Sequence, residues 1–396
     1  MKRKFSIIIF ICLVLSGCKE KIYEDNTNDN IDLIMNNIEV YSDTYLYDII
    51  DLKNKNIEIV SDNKLINTEK IGQKDIEVIY KLENKKYSRI LNIIIVDNEA
   101  PIVFSGTNKS VNVDYDGDLC NLITYGDNYD GNLTCKIEGN YDLSKIGTYN
   151  LSYTISDSSN NNKEVKVTLN VKEKSNNTNN NTTAQSKKTQ FIDILTKYKN
   201  DNNEIGIDVS KWQGKIDFEK VKNAGATFVM MRIGVQKGSK EELEIDPYFE
   251  ENFKNARASG LKVGVYLYSI ATSKEEAINH AKWVIEKLNG EKLDLPIVFD
   301  WENWSKWNSY KISFHDINMI ADSFINTIKD NNYEGMLYSS KFYLETIWEN
   351  KLEFPIWLAH YTDKTTYSGN YKIWQLCNNG RIDGINGDVD INIMYN

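Results

Sequence analysis

From Glu204 onward the chain repeats one unit, a short apolar run followed by a stretch with apolar residues at helical spacing. The runs IGIDV (205 to 209), TFVMMRIG (227 to 234), KVGVYLYS (262 to 269), PIVFDWE (296 to 302) and GMLYSS (335 to 340) alternate with helical patterns over 218 to 224, 248 to 259, 274 to 288 and 314 to 329. Apolar strands separated by amphipathic helices require a parallel sheet covered on its faces, the arrangement of an α/β domain. After the fifth unit the helices nearly stop, and FPIWLAHY (354 to 361), YKIWQL (371 to 376) and DVDINI (388 to 393) follow as strands with loops between them. This order predicts a TIM-like barrel of five β/α units closed by three further strands, (β/α)5β3, over residues 204 to 396, somewhat small for a regular eightfold barrel.

The chain has 396 residues, too many for one ordinary domain, and all eight tryptophans and three histidines lie after residue 204. Upstream, Ile38 to Val96 is a set of short apolar runs such as IEVIY and LNIIIV between Asn, Asp, Gly and Lys clusters, the signature of an antiparallel β-sandwich. The plan recurs: a shift of 75 residues lays Thr68 to Tyr80 on Leu143 to Ile155 with Lys-Ile-Gly matched, and Val96 on Val171. The phrase DLSKIGTYNLSYTISDSSNN resembles bacterial immunoglobulin-like surface modules. The fold class is therefore multidomain, with two all-β immunoglobulin-like sandwiches over 33 to 98 and 99 to 172 ahead of the barrel. Such modules act as spacers or weak carbohydrate binders. The acidic turn GDNYDG (126 to 131) reads as a turn, since it lacks the full calcium-loop pattern. Residues 173 to 203, which open with a polar Asn/Thr-rich tract, read as a linker, and FIDILTKY (191 to 198) within it as a helix packing on the next domain.

Residues 1 to 18 are a targeting segment: MKRK is basic, Phe5 to Leu15 is apolar, and Leu-Ser-Gly-Cys closes it. That close resembles the lipobox of bacterial lipoproteins, which implies lipidation of Cys18, a tether over 19 to 32, and a chain anchored to the cell membrane on its outer side. An apolar run of about a dozen residues is too short to span a bilayer, which takes roughly 20. Cys120 and Cys135, close in sequence within one β module, are candidates for a disulfide, which spacing alone leaves open. Cys377 has no evident partner. His280, His315, His360 and the cysteines show no zinc-ligand spacing, so neither a metal nor a cofactor is expected. A net charge of −10 without an internal Lys/Arg block excludes nucleic acid as the partner.

In a barrel of this kind the site lies at the C-terminal ends of the strands. Four acids fall there: Asp208 on the first strand, Asp300 and Glu302 on the fourth, and Asp390 on the last. Strand side chains alternate, so Asp300 and Glu302 face one side, their Cα atoms roughly 6.5 Å apart, and Trp301 faces the other. Carboxylates converging on one mouth repel, which raises the pKa of at least one and keeps an acid protonated for donation to a glycosidic oxygen. Tyr266, Tyr268, Tyr338, Trp357, Tyr361, Trp374 and Gln375 sit at strand ends around the same mouth. Flat rings and a side-chain amide suit the faces and hydroxyl or acetamido groups of sugars.

The series DVSKWQG (208 to 214), RIG (232 to 234), GVYLYS (264 to 269), PIVFDWE, WLAHY (357 to 361), IWQL and GDVDIN resembles the glycoside hydrolase family 25 lysozymes in order and spacing. The resemblance implies cleavage of the β-1,4 bond between N-acetylmuramic acid and N-acetylglucosamine in peptidoglycan. Glu302 matches the family's catalytic acid and Asp300 its partner, while Asp208 and Asp390 match acids that position the sugar and tune Glu302. Leu267 departs from the family, which often has His there. Inversion, direct retention and participation by the substrate's acetamido group remain open, and the resemblance leans to the last. The partners implied are peptidoglycan glycan strands and, through the lipid, the membrane, with the chain a monomer. The rival reading is an inactive peptidoglycan-binding surface lipoprotein, against which the retention of all four acids counts.

Overall fold

A computed structural model describes residues 21–174, 188–238, 242–349 and 354–396. The targeting segment with Cys18 and most of the Asn/Thr-rich tract lie outside the described residues. The chain divides into two compact units, one ending at Asn98 and the other running from Glu99 to Asn396.

In the first unit the hairpin of Gly72–Leu82 and Lys85–Val96 is the central element. Its turn residues Glu83 and Asn84 both take positive φ, which matches the right-handed twist of the paired strands. The second arm receives two short parallel strands, Ile22–Glu24 and Asn37–Glu39. Ile31–Leu33 pairs with Ile50–Leu52, and Ile31 is fully buried. The stretch 19 to 32, expected as a tether, is thus from Ile22 part of this module. Its apolar residues are few: Ile22 and Tyr23 stay exposed on the edge strand, and Ile31 supplies the buried anchor.

The repeat in sequence is also a repeat in topology. In the second unit Gly147–Ser156 and Asn162–Lys172 form the equivalent hairpin, pairing Gly147 with Val171 as Gly72 pairs with Ile95. Asn108–Asn112 adds in parallel and Thr134–Glu138 in antiparallel fashion. Ile102–Val103 and Tyr125–Gly126 make a separate two-stranded ladder. Leu151, Tyr153, Ile155, Val167, Leu169 and Val171 alternate into the core of this module. Cys120 and Cys135 are joined by a disulfide there. In the turn after the ladder Asp127 Oδ1 accepts the N–H groups of Tyr129 and Asp130.

The barrel strands are β1 (Asn203–Val209), β2 (Phe228–Gln236), β3 (Lys262–Tyr268), β4 (Ile297–Asp300), β5 (Gly335–Ser340), β6 (Ile356–Ala359), β7 (Ile373–Arg381) and β8 (Val389–Tyr395). Strands β1 to β7 run parallel in order, and β8 closes the ring between β7 and β1, antiparallel to both. The sheet is therefore mixed, a correction to the parallel reading, and the cause is local. A parallel return needs a crossover of a dozen or more residues, and the run from Arg381 to Val389 is too short for one. Helices α1 (Phe218–Asn223), α2 (Phe249–Ala258), α3 (Lys274–Leu288), α4 (Phe314–Asp330) and α5 (Lys341–Thr346) cover the outside.

Alternation sorts the strand residues into two cores. Phe228, Met230, Val298, Met336, Tyr338, Trp357 and Ile373 fill the barrel, whereas Val229, Met231, Ile297, Phe299, Leu337 and Leu358 pack outward under the helices. The linker expected over 173 to 203 ends earlier than its composition suggests. Thr189–Gln190 pairs with β7, and the helix Phe191–Tyr198 buries Phe191 and Ile194 in the outer core.

Candidate active site

At the C-terminal end of the strands a hollow of about 260 Å³ is lined by Asp208, Asp300, Glu302 and Asp390 together with Tyr266, Tyr338, Trp357, Tyr361 and Gln375. All four predicted acids therefore share one cavity. Each arrives by the geometry of its strand. Asp208 on β1 stands directly opposite Asp390 on β8, an antiparallel pair whose side chains meet across the ladder. Asp300 is the last residue of β4, and its carbonyl accepts the N–H of Ser269. Glu302 lies just past the end of β4 rather than on it, a correction to the longer strand expected, yet it lines the same hollow. Trp301 between them faces away, fully buried, donating its indole N–H to Ala271 O at 3.1 Å.

A fixed polar frame holds Asp208. Its Oδ2 accepts from Gln375 Nε2 at 2.9 Å and from Asn392 Nδ2 at 2.8 Å. Gln375 is oriented in turn by the hydroxyls of Tyr338 and Tyr361, which donate to its Oε1 at 2.9 and 3.0 Å. Asn392 is oriented by the indole N–H of Trp357, at 2.8 Å. Every amide rotamer around this carboxylate is thus specified by an aromatic donor. Beside the frame, Arg232 on β2 forms a buried 2.6 Å ion pair with Asp246.

The electrostatics separate the four acids. Burial raises Asp208, opposed by its hydrogen bonds with Asn392, Gln375 and Asp390. Asp390 is pushed up to about 9, by burial first and then by the Asp208 charge. Asp300 stands well above the usual carboxylate range, through burial, then the charges of Glu302 and Asp208, with Arg232 pulling the other way. Its Oδ1 is buried and has no hydrogen-bond partner among the described residues. Glu302 opens to solvent through the cleft, yet enough protein surrounds it that desolvation, with the Asp208 charge, raises it to about 7. The phenols of Tyr266 and Tyr338 are held protonated well above their ordinary value by burial. A cluster that holds protons near neutrality is suited to general acid chemistry.

Two predicted contacts are not made at this hollow. Trp374 is 3% exposed and belongs to the outer core, where its indole donates to His360 O and its ring meets Tyr198 edge-on. Adjacent residues on a strand face opposite ways, so with Gln375 inward Trp374 points outward. Trp374→Ala is expected to cost about 3–5 kcal/mol in a denaturation experiment while leaving KM unchanged. Tyr268, at the very end of β3, is half-buried against the outer core and does not line the hollow, though burial, and after it the charges of Asp300 and Glu302, raise its phenol to about 12. Sequence reasoning passed over Asn392 and Asn378. Asn392 was detectable, because it sits two positions beyond Asp390 and so on the same face.

Residues 207–385 match the model of the glycosyl hydrolases family 25. The barrel is a family 25 glycoside hydrolase domain. The chain is 29% identical over 204 residues to lysozyme M1 of Streptomyces globisporus, covering 47% of this chain and 66% of that protein. It is 26% identical over 188 residues to the autolytic lysozyme of Clostridium acetobutylicum, covering 47% and 54%, and 28% identical over 196 residues to YegX of Escherichia coli K12, covering 48% and 68%. A family 25 glycosyl hydrolase from Bacillus anthracis superposes with a TM-score of 0.44 at 22% identity, over 50% of this chain and 92% of that one. About half of this chain is thus matched in each case, and the family 25 domain is a lysozyme-like glycoside hydrolase. No helix among the described residues is long and apolar enough to cross a membrane.

Proposed function

We propose that the protein is a muramidase that hydrolyses the β-1,4 bond between N-acetylmuramic acid and N-acetylglucosamine in peptidoglycan, with Glu302 as the general acid. The observation that carries this reading is the convergence of four acids, Asp208, Asp300, Glu302 and Asp390, on one hollow at the barrel mouth. Burial and the Asp208 charge push Asp390 up to about 9 beside the amide frame, while Glu302, open to the cleft, is raised to about 7. A glycosidic oxygen is a poor leaving group until protonated, and Glu302 is the acid that both retains a proton and reaches substrate.

Asp300 is its partner. The buried and unpaired Oδ1 fits an acceptor for an acetamido N–H, which would turn the carbonyl oxygen of that group toward the anomeric carbon. The positive charge that then develops on the sugar favours the ionised carboxylate, so Asp300 stabilises the transition state more than the ground state. This supports participation by the substrate, and trapping of a covalent glycosyl-enzyme would contradict it. Tyr266, Trp357 and Tyr361 flank the hollow as sugar-facing rings.

The same reading places the protein outside the cytoplasm, with its lipid at Cys18 and two immunoglobulin-like modules ahead of the barrel, as a monomer acting on glycan strands. The disulfide of the second module suits an oxidising compartment. The test is incubation of purified peptidoglycan with protein lacking residues 1 to 18. New reducing ends are expected, and their absence removes the assignment. A pH profile tests the acid: a group raised to about 7 is protonated below that value and loses its proton above it. The value of kcat/KM should therefore fall as pH rises through about 7, and a rate that still climbs through that point excludes Glu302 as the acid.

A further inference from the structure

The loop that follows Glu302 is poor in structure of its own. It contains one 3-10 turn, Trp304–Lys306, a four-residue helix, Trp307–Tyr310, and Lys311 in the left-handed region with φ of 54°. Elements this short are not stable alone, so the loop takes its shape from what packs on it. On one side is the barrel residue Trp301, against Trp304 at 4.6 Å and Trp307 at 5.7 Å between ring centroids. On the other is the second β module, which lies in the same compact unit.

Three kinds of contact join module and loop. Phe104 of the module is 6% exposed and is part of the barrel's outer core, not of the module's own. It meets Trp307, Phe314 and Tyr343 edge-on at 5.9, 5.9 and 6.4 Å, and Tyr343 stacks on Trp304 at 4.1 Å. Trp304 then donates its N–H to the carbonyl of Glu302 at 2.7 Å. A continuous pile of rings therefore runs from the module to the backbone of Glu302.

The second contact is polar. Asn308 accepts the Tyr125 N–H and donates to the Ile123 carbonyl, at 3.2 and 2.9 Å, so its amide fills one place in the module's ladder. The first N–H groups of a helix lack intrahelical acceptors. In α4 those of Phe314 and His315 donate to Asp127 O at 2.8 Å and Asn128 O at 3.2 Å, so the module supplies the missing acceptors. The third contact is close approach. A Cβ on Gly131 would lie 2.2 Å from the backbone carbonyl oxygen of Lys311, and one on Gly126 2.5 Å from the Phe314 ring.

We propose that the second β module is a buttress of the hydrolase rather than a spacer: through Phe104 and the 123 to 128 backbone it holds the loop of 302 to 311, and with it the orientation of Glu302. The proposal rests on the assignment of Glu302 as the acid. Phe104 and Asn308 are positioning residues that touch no substrate. Removing Phe104 takes away one wall of the Trp307 and Tyr343 packing, and with it the support of Trp304 through Tyr343, and the loop then samples orientations in which Glu302 misses the glycosidic oxygen.

The test compares Phe104→Ala, Phe104→Leu and Asn308→Ala with wild type in the chain from residue 19, by kinetics on soluble glycan fragments and by amide hydrogen exchange. Phe104→Ala is expected to lower kcat by about 10- to 100-fold while KM stays within about twofold. Phe104→Leu should restore most of the rate. Exchange should speed up in 302 to 315 while the central barrel strands keep their protection. Asn308→Ala removes two hydrogen bonds and little core volume, and gives the same pattern if Phe104→Ala does not fold. An unchanged kcat, or a lowered kcat with exchange in the loop unchanged, overturns the proposal. Should wild type release no reducing ends, the muramidase reading fails by itself, and unchanged loop exchange in the variants still overturns the buttress.

Discussion

Glu302→Gln is expected to release reducing ends from peptidoglycan about 10²- to 10⁴-fold more slowly than wild type, the range that general acid catalysis contributes. The substitution preserves size and hydrogen-bonding shape, so folding and glycan binding should remain. Gln has no acidic proton to give to the departing oxygen. The fall of activity through a pH of about 7 should vanish with it, because that limb is the titration of Glu302. A residual rate that keeps the wild-type pH profile would mean that another group donates the proton. Glu302 is the member of the cluster where this effect should be cleanest. Asp208 accepts two amide donors, and replacing it would leave Gln375 and Asn392 without their acceptor as well as altering the field.

Asp300→Asn should divide stability from activity. In the folded protein this carboxyl is 5% exposed, with its pKa raised by burial and by the charges of Glu302 and Asp208. For an acid raised in the folded state, the penalty is absent below the unfolded pKa and grows as pH rises towards the folded one. Wild type should therefore lose stability on going from acid to alkaline conditions through this group. The neutral amide escapes that loss. Asp300→Asn is expected to be more stable than wild type by about 1–3 kcal/mol at pH 8, the scale of an unsatisfied buried group, and the gain should shrink as the pH falls towards 4. Activity should drop by about 10²- to 10³-fold, as when a preorganised electrostatic group is lost. Thermal unfolding at several pH values measures the first effect, and reducing-end release the second. An Asp300→Asn protein that is less stable at alkaline pH would show that the carboxylate is satisfied in solution.

Much of this site is legible because strands have a period of two. Asp208, Asp300 and Asp390 fall at strand ends, and parity alone turns Trp301 away from the mouth. The same rule, applied strictly, separates Trp374 from Gln375 and pairs Asn392 with Asp390. The antiparallel β8 was also available, in the short connection after Arg381 that leaves no room for a crossover.

What could not be read is the contact between distant segments. Gly126 and Gly131 look like turn glycines in a loop of Asp, Asn and Gly, and nothing local marks them as surfaces on which Phe314 and Lys311 come to rest. Phe104, within the stretch of 99 to 172 assigned to the second β module, is core of the barrel. Residues 19 to 32 likewise look polar and loose by composition, whereas the helix over 191 to 198 is legible from its apolar residues. A few apolar residues, Ile31, Phe191 and Ile194, suffice to dock them.

The most direct test of the account is mass analysis of the fragments released from purified peptidoglycan after borohydride reduction of their new ends. A muramidase leaves N-acetylmuramic acid at the reducing end, so every released fragment should carry reduced N-acetylmuramic acid, and Glu302→Gln should release almost none. Fragments ending in reduced N-acetylglucosamine, or intact glycan strands after prolonged incubation, would contradict it.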